Sequence, residues 1–368
     1  MAVGRELLNL VVERIAQKGP LTFAEFMALA LYHPEYGYYM RERVNVGREG
    51  DYYTAPAVHP VFGALLAEQV SEMWRLAGEP PSWQIVEYGA GPGWLAGDVL
   101  EALERYHPDC FSATRYEVVE INPALRAFGE RHLRERFGPR VCWTAAPGIH
   151  AVEGCVLANE LLDALPFHLV RGEPGGRLRE LYVGWDGCRL VEVPGVPSTP
   201  RLEEYFAAQG VRLAPDQRAE VCLAALDWVA EVARMLVRGY VLILDYGLDA
   251  AELYHPSRAG GSLRCFRNHR LNTDPFAAVG EQDITAHVNF SALAARARAL
   301  GLEVLGPVPQ GSFLARLVPL LAGKLDLAGD LKARLALKEL IFRMGEAFRV
   351  LVLARDVPAA PLTGLRHG

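Results

Sequence analysis

The chain has 368 residues, of which 51% are hydrophobic and 22% charged, and its 38 basic against 44 acidic side chains give a net charge of −6. That length allows roughly two to three globular domains with a large buried core. The composition excludes disordered and collagen-like classes, and the negative balance argues against a partner whose many phosphates must be neutralised. No uninterrupted apolar run approaches the ~20 residues of a membrane span. The six cysteines are scattered without a Cys-x-x-Cys pair, so we expect small buried hydrophobes and no metal site. The N-terminal stretch MAVGRELLNLVVERIAQKG carries charges among its apolar positions. It predicts an amphipathic helix with no signal or transit peptide visible, and a cytoplasmic location follows as an expectation.

After the helix, an aromatic segment (Tyr32 to Tyr39) and the loop GDYYTAPAVHP precede a second helical run, VFGALLAEQVSEMWRLAG, closed by Gly78 and Pro80-Pro81. From there short apolar runs alternate with helix-length stretches: QIVEY (84–88), YEVVE (116–120), VCWTA (141–145), CVLANE (155–160) and YVLILDY (240–246). Such alternation predicts an α/β fold with a mainly parallel sheet and crossover helices. About eighty residues separate the fourth and fifth runs, against ~10–15 for an ordinary crossover. The stretches FHLVR, RLRELYVGW and CRLVEV, with turns at EPGG and Asp186-Gly187, predict an inserted β-meander followed by a helix from about Asp216 to Val237. Late in the chain, LEVLGPV and FRVLVLAR are candidates to complete the sheet around a helical insertion at about 313–345. We therefore expect an N-terminal helical extension over residues 1–80. A core over 81–368 would carry the insertions at about 167–237 and 313–345.

The loop after the first strand reads Glu87-Tyr-Gly89-Ala90-Gly91-Pro-Gly93-Trp-Leu-Ala-Gly97. A strand entering a glycine-rich turn and then a helix brings bare backbone against a ligand at a helix N-terminus. Two cofactor classes use this device. Gly91-Pro-Gly93-Trp-Leu-Ala96 fits the dinucleotide pattern, whereas Glu87-x-Gly89-x-Gly91-x-Gly93 fits a methyltransferase pattern. Glu120, 29 positions after Gly91, lies beyond the ~20 typical of dinucleotide folds. A carboxylate beside the loop also suits the ammonium and sulfonium of S-adenosylmethionine. Both features favour S-adenosylmethionine over a nicotinamide, with Glu120 on the ribose hydroxyls.

Acidic residues recur where the strands end, the edge at which open α/β sheets bind ligands. Asn159-Glu160-Leu-Leu-Asp163 follows the fourth strand and Asp245 ends the fifth. Asn159, Glu160, Asp163 and Asp245 are the candidate catalytic residues, since a carboxylate there can orient a cationic nitrogen and take its proton. Helix capping is the alternative for Asn159 and Asp163. The Asn-Pro-Pro-aromatic motif of base-methylating enzymes is missing after Asn159, where Glu160 and Leu161 stand, so a nucleic-acid acceptor is disfavoured.

These residues sit in a longer ordered set: LTFAEFMALALYHPEYGYYM, GDYYTAPAVHPVFGALLAEQV, VEYGAGPGWLAGDVL, YEVVEINPALR, ANELLDALP, VLILDYG, GSLRCFRNHR, DITAHVNF and MGEAFRVLVLAR. Nearly end to end, the chain resembles a family of class I methyltransferases. That family includes bacterial proteins and a mitochondrial complex I assembly factor, an arginine methyltransferase acting on a complex I subunit. The resemblance implies a seven-stranded, Rossmann-like sheet with its last strand antiparallel. It implies S-adenosyl-L-methionine as cofactor and a protein acceptor such as a respiratory complex subunit, without membrane insertion. It also implies that the segment Asp51 to Pro56 folds over the cofactor, with Thr54 and Pro56 in contact and Tyr52 and Tyr53 excluding water. His269, Asp283 and His287 belong to its late motifs, beside a basic cluster of Arg264, Arg267 and Arg270. Departures are Ala57 where Glu is common, His59 where a small polar residue is usual, and Tyr-Gly-Ala-Gly-Pro-Gly in place of Leu-Gly-Pro-Gly-x-Gly. Small-molecule N- or O-methylation, and a non-catalytic assembly factor that keeps the cofactor fold, are the alternatives to arginine transfer.

Overall fold

The computed structural model describes residues 2–41, 54–148, 151–325, 329–358 and 361–366. The chain divides into two compact units, each assembled from three segments: Met1–Arg41, Leu162–Val229 and Gly247–Arg296 form the first, and Glu42–Leu161, Ala230–Tyr246 and Ala297–Gly368 the second.

The second unit is built on a sheet of strands β1 (Trp83–Tyr88), β2 (Thr114–Val119), β3 (Val141–Thr144), β4 (Val152–Asn159), β5 (Leu236–Leu248, in this unit as far as Tyr246), β6 (Glu303–Pro309) and β7 (Phe348–Arg355). Their order is β3-β2-β1-β4-β5-β7-β6. Pairings from β3 through β5 are parallel, and β7 runs antiparallel to both β5 and β6. These seven strands follow the expected order with the last one reversed, and the sheet has an eighth strand that was not expected, Val288–Asn289, which pairs parallel with Gly247–Leu248 at the end of β5. Sequence alternation is weak in β5 and β7 because both faces are covered; Val350 through Ala354 are all buried.

The helix Val61–Leu76 is buried from Val61 to Trp74, polar residues included. It belongs to the second unit, and its polar side is covered as well. Lys324 Nζ donates to both oxygens of Glu68 at 2.7 Å, His107 Nε2 lies 3.1 Å from Glu68, Gln69 donates to Glu72, and Thr363 donates to Glu72 from backbone and hydroxyl. Residues whose charge pattern suggests a solvated face are instead neutralised by distant segments. The crossover helix Trp94–Tyr106 follows the glycine loop and buries Leu95, Ala96, Val99, Leu100 and Leu103, one apolar stripe at helical spacing.

In the first unit, Phe23–Tyr32 starts with a capping box of Thr22 and Glu25. The meander is present as Leu190–Gly195, Leu178–Trp185 and His168–Gly172, paired antiparallel. A fourth strand, Arg218–Val221, pairs with His168–Arg171. Here the structure departs from a helix beginning near Asp216; the helix is Leu223–Met235. Residues 218–221 read apolar on alternate positions and cover a strand edge that would otherwise stay open. A three-stranded sheet joins Arg264–Arg267, Arg270–Asn272 and Asp283–Thr285.

Candidate active site

Between β1 and the following helix, Gly89, Gly91 and Gly93 take φ of 66°, 56° and 81°, values open to glycine at little cost. A Cβ on Gly89 would stand 2.9 Å from the Leu161 side chain, and one on Gly93 2.8 Å from the Trp143 indole. At Gly91 a Cβ would meet nothing within 4 Å. Gly89 and Gly93 therefore pack the loop, and Gly91 presents bare backbone to open space.

Glu120, just past β2, is fixed by that same backbone: Gly91 N–H donates to Oε2 and Asn122 N–H to Oε1, each at 2.8 Å. Each carboxylate oxygen keeps a further lone pair for a ligand hydroxyl. Burial raises the Glu120 pKa, and the backbone donors oppose it. Glu87, at the end of β1, is buried and accepts from the Tyr116 hydroxyl at 2.7 Å. Burial pushes its pKa up to about 7, with Tyr116 opposing and the charges of Glu120 and Asp98 adding. Asp98, on the crossover helix, is also pushed up to about 7, chiefly by burial.

At the ends of β4 and β5, Asn159, Glu160 and Asp245 come together. Glu160 adopts φ 53°, an uncommon backbone for a residue with a side chain, and its N–H donates to Leu244 O at 2.9 Å. Its Oε1 accepts from Ala55 N–H at 2.8 Å and from Asn159 Nδ2 at 3.3 Å. Burial pushes the Glu160 pKa up to about 8, with the Ala55 bond opposing and Asp245 adding. Asp245 accepts from the N–H groups of Leu161 (3.2 Å) and Tyr246 (2.9 Å). Leu161 thus ties the carboxylates to the glycine loop, its backbone on Asp245 and its side chain under Gly89. Asn159 Oδ1 is buried with no partner among the described residues.

Thr54 stands at the N-cap position of the short helix Ala55–Val58 without a capping side-chain hydrogen bond; the helix contains Pro56, and its first N–H donates to Glu160. Asp51, Tyr52 and Tyr53 lie outside the described residues. Asp163 belongs to the first unit. It sits in the turn Leu162–Ala164 and accepts through its backbone oxygen from Ala286 N–H. His59 Nδ1 accepts from Val61 N–H at 3.1 Å. In the first unit, His269 occupies a hairpin turn at φ 58°, Asp283 accepts from the Tyr39 hydroxyl at 2.6 Å, and Arg267 pairs with Glu281 at 2.6 Å. Burial, then Arg258 and Arg264, depresses the His287 pKa to about 4. Sequence reasoning missed Leu161, Tyr116 and Asp98. Only Asp98 carried a signal, an acidic residue in the first turns of the helix that follows the loop.

Residues 65–308 match the protein family described as "Putative S-adenosyl-L-methionine-dependent methyltransferase". The chain belongs to that family. Among its relatives, the mitochondrial protein arginine methyltransferase NDUFAF7 homolog of Drosophila melanogaster is 31% identical over 83% of this chain and 73% of its own length. The mitochondrial protein arginine methyltransferase NDUFAF7 of Homo sapiens is 28% identical over 84% and 72%. A Burkholderia thailandensis crystal structure with S-adenosyl-homocysteine bound superposes at TM-score 0.90 and 32% identity, covering 100% of this chain and 96% of that one. A native crystal structure from the same organism gives 0.86 at the same identity and coverage.

The cofactor of this methyltransferase is S-adenosyl-L-methionine, and the residues present fit it. The bare backbone at Gly91 leaves the space a ligand needs, and Glu120 retains acceptor capacity for two ribose hydroxyls. Glu87, Asp98 and the Asn159 oxygen, which has no partner among the described residues, suit a cationic amino-acid end. None of these groups resembles a phosphate cradle.

Proposed function

We propose that this methyltransferase transfers the methyl group to an arginine side chain of a partner protein. The observation that carries the reading is the pairing of Glu160 with Asp245 beside the glycine loop, linked through Leu161. A guanidinium is protonated in nearly all settings, so its nitrogen attacks only when neighbours hold the charge and accept a proton as the N–C bond forms. Bound S-adenosyl-L-methionine supplies the electrophilic methyl on a cationic sulfonium. Asp245, held by two backbone donors, would pair with the guanidinium. Glu160, oriented by Ala55 N–H and Asn159 through Oε1, would take the proton on its carboxylate. The arriving cation offsets the burial that otherwise keeps Glu160 protonated. The names of the relatives support a protein acceptor, and a respiratory complex subunit is the class that the sequence resemblance implies. Mass spectrometry of proteins from cells with and without this gene tests the proposal. We expect at least one methylarginine site to vanish with the gene; unchanged methylarginine together with a lost methyl mark on another residue or on a metabolite would refute it.

A further inference from the structure

The helical insertion between β6 and β7 presents a face that the methyl-transfer reading does not use. Helix Leu331–Lys338 is capped by Asp330, which accepts from Ala333 N–H at 3.0 Å, and continues directly into the wider turn Glu339–Arg343. One side packs inward, with Ala336, Leu337 and Leu340 in the core of the second unit. The other side is apolar and outward: Leu331, Leu335 and Phe342 are 58%, 59% and 71% exposed. Leu331 and Leu335, at i and i+4, share one helical stripe, and Phe342 is exposed further along, in the wider turn. Exposed Lys332, Arg334, Lys338 and Arg343 flank it. Glu339 is the one acidic residue over 331–343 and is already paired with Arg343. The segment is therefore cationic in a chain whose net charge is −6.

We infer that this stripe is a docking surface for an anionic lipid bilayer, on which the helix lies flat. Exposed large apolar side chains that cluster within a polar rim mark an interaction site, whereas single ones scattered over a surface do not. An apolar stripe bordered by Lys and Arg is the pattern of an interfacial helix: the apolar residues enter the acyl boundary and the cations meet acidic headgroups. A second copy fits less well. A two-fold contact through this stripe would bring its cationic flanks against each other. The interaction is peripheral and needs no spanning helix; among the described residues none is long and apolar enough to span.

Sedimentation of the full chain with vesicles tests the inference. We expect binding to phosphatidylcholine mixed with phosphatidylglycerol, at least about tenfold weaker binding to phosphatidylcholine alone, and weakening as salt is raised. Leu335→Glu with Phe342→Glu should abolish binding, and Arg334→Glu with Lys338→Glu should remove its preference for the acidic lipid. Both variants should keep affinity for S-adenosyl-homocysteine and the thermal midpoint, because the altered side chains are solvent-facing. Failure to sediment with acidic vesicles would overturn the inference. So would equal sedimentation of the folded Leu335→Glu/Phe342→Glu variant, or a parent dimer in light scattering that this variant converts to monomer.

Discussion

Glu160 carries the sharpest expectations at the scale of single residues. Its native pKa of about 8 stands above the ordinary 4.5, so between those values the native chain keeps a proton that the unfolded chain loses. Stability then falls as pH climbs through that window. Glu160→Gln keeps the acceptor for Ala55 N–H and removes the titration. Without cofactor, the variant should withstand more denaturant than the parent near pH 8, and the gap should close as pH falls toward 4.5. Equilibrium unfolding across that range checks this; a constant gap would assign the effect to packing. Gly91 offers a second expectation. Valine there meets open space but must adopt φ near 56°, costing about 1–3 kcal/mol, and its branches would fill the ligand's place. Calorimetry should find a folded protein that no longer binds S-adenosyl-homocysteine. Much of this site was legible because glycine spacing and strand-end carboxylates are local signals. Leu161 and Tyr116 were not, since nothing local distinguishes them from other apolar-run residues; their roles arise from a register between strands.

Among the elements, the buried polar side of helix Val61–Leu76 shows where sequence patterning stops. Glu68, Gln69 and Glu72 look like a solvated face, and their partners Lys324, His107 and Thr363 come from far along the chain. Lys324→Ala should cost stability at the low end of the ~3–5 kcal/mol for leaving a buried charge without its partner, because His107 still faces Glu68. Adding Glu68→Gln should restore most of the loss, and denaturant melts of the two variants check both statements; additive losses would mean that the ion pair contributes nothing of its own. The strands were legible for the converse reason. β7 matches FRVLVLAR end to end, since a continuous β-branched and leucine run bounded by charges has few other uses. Arg218–Val221 was read as helix because four residues of alternation give a weak signal before a strong helix.

At the scale of the whole chain, the seven-strand order followed from alternation and resemblance together, whereas the two units are interleaved in sequence in a way that composition does not mark. The division places Asn159, Glu160 and Asp245 with the glycine loop in one unit and Asp163 in the other. Glu160, supported by Asp245, is the residue proposed to act on an arginine. The most direct test supplies methyl-labelled S-adenosyl-L-methionine to extract proteins from cells lacking the gene, adds the purified chain, and hydrolyses the products to amino acids. Label in methylarginine is expected with the parent. Glu160→Gln, binding the cofactor equally well, should transfer it at least ~10²-fold more slowly. Label on another amino acid, or undiminished methylarginine from the variant, would contradict the account.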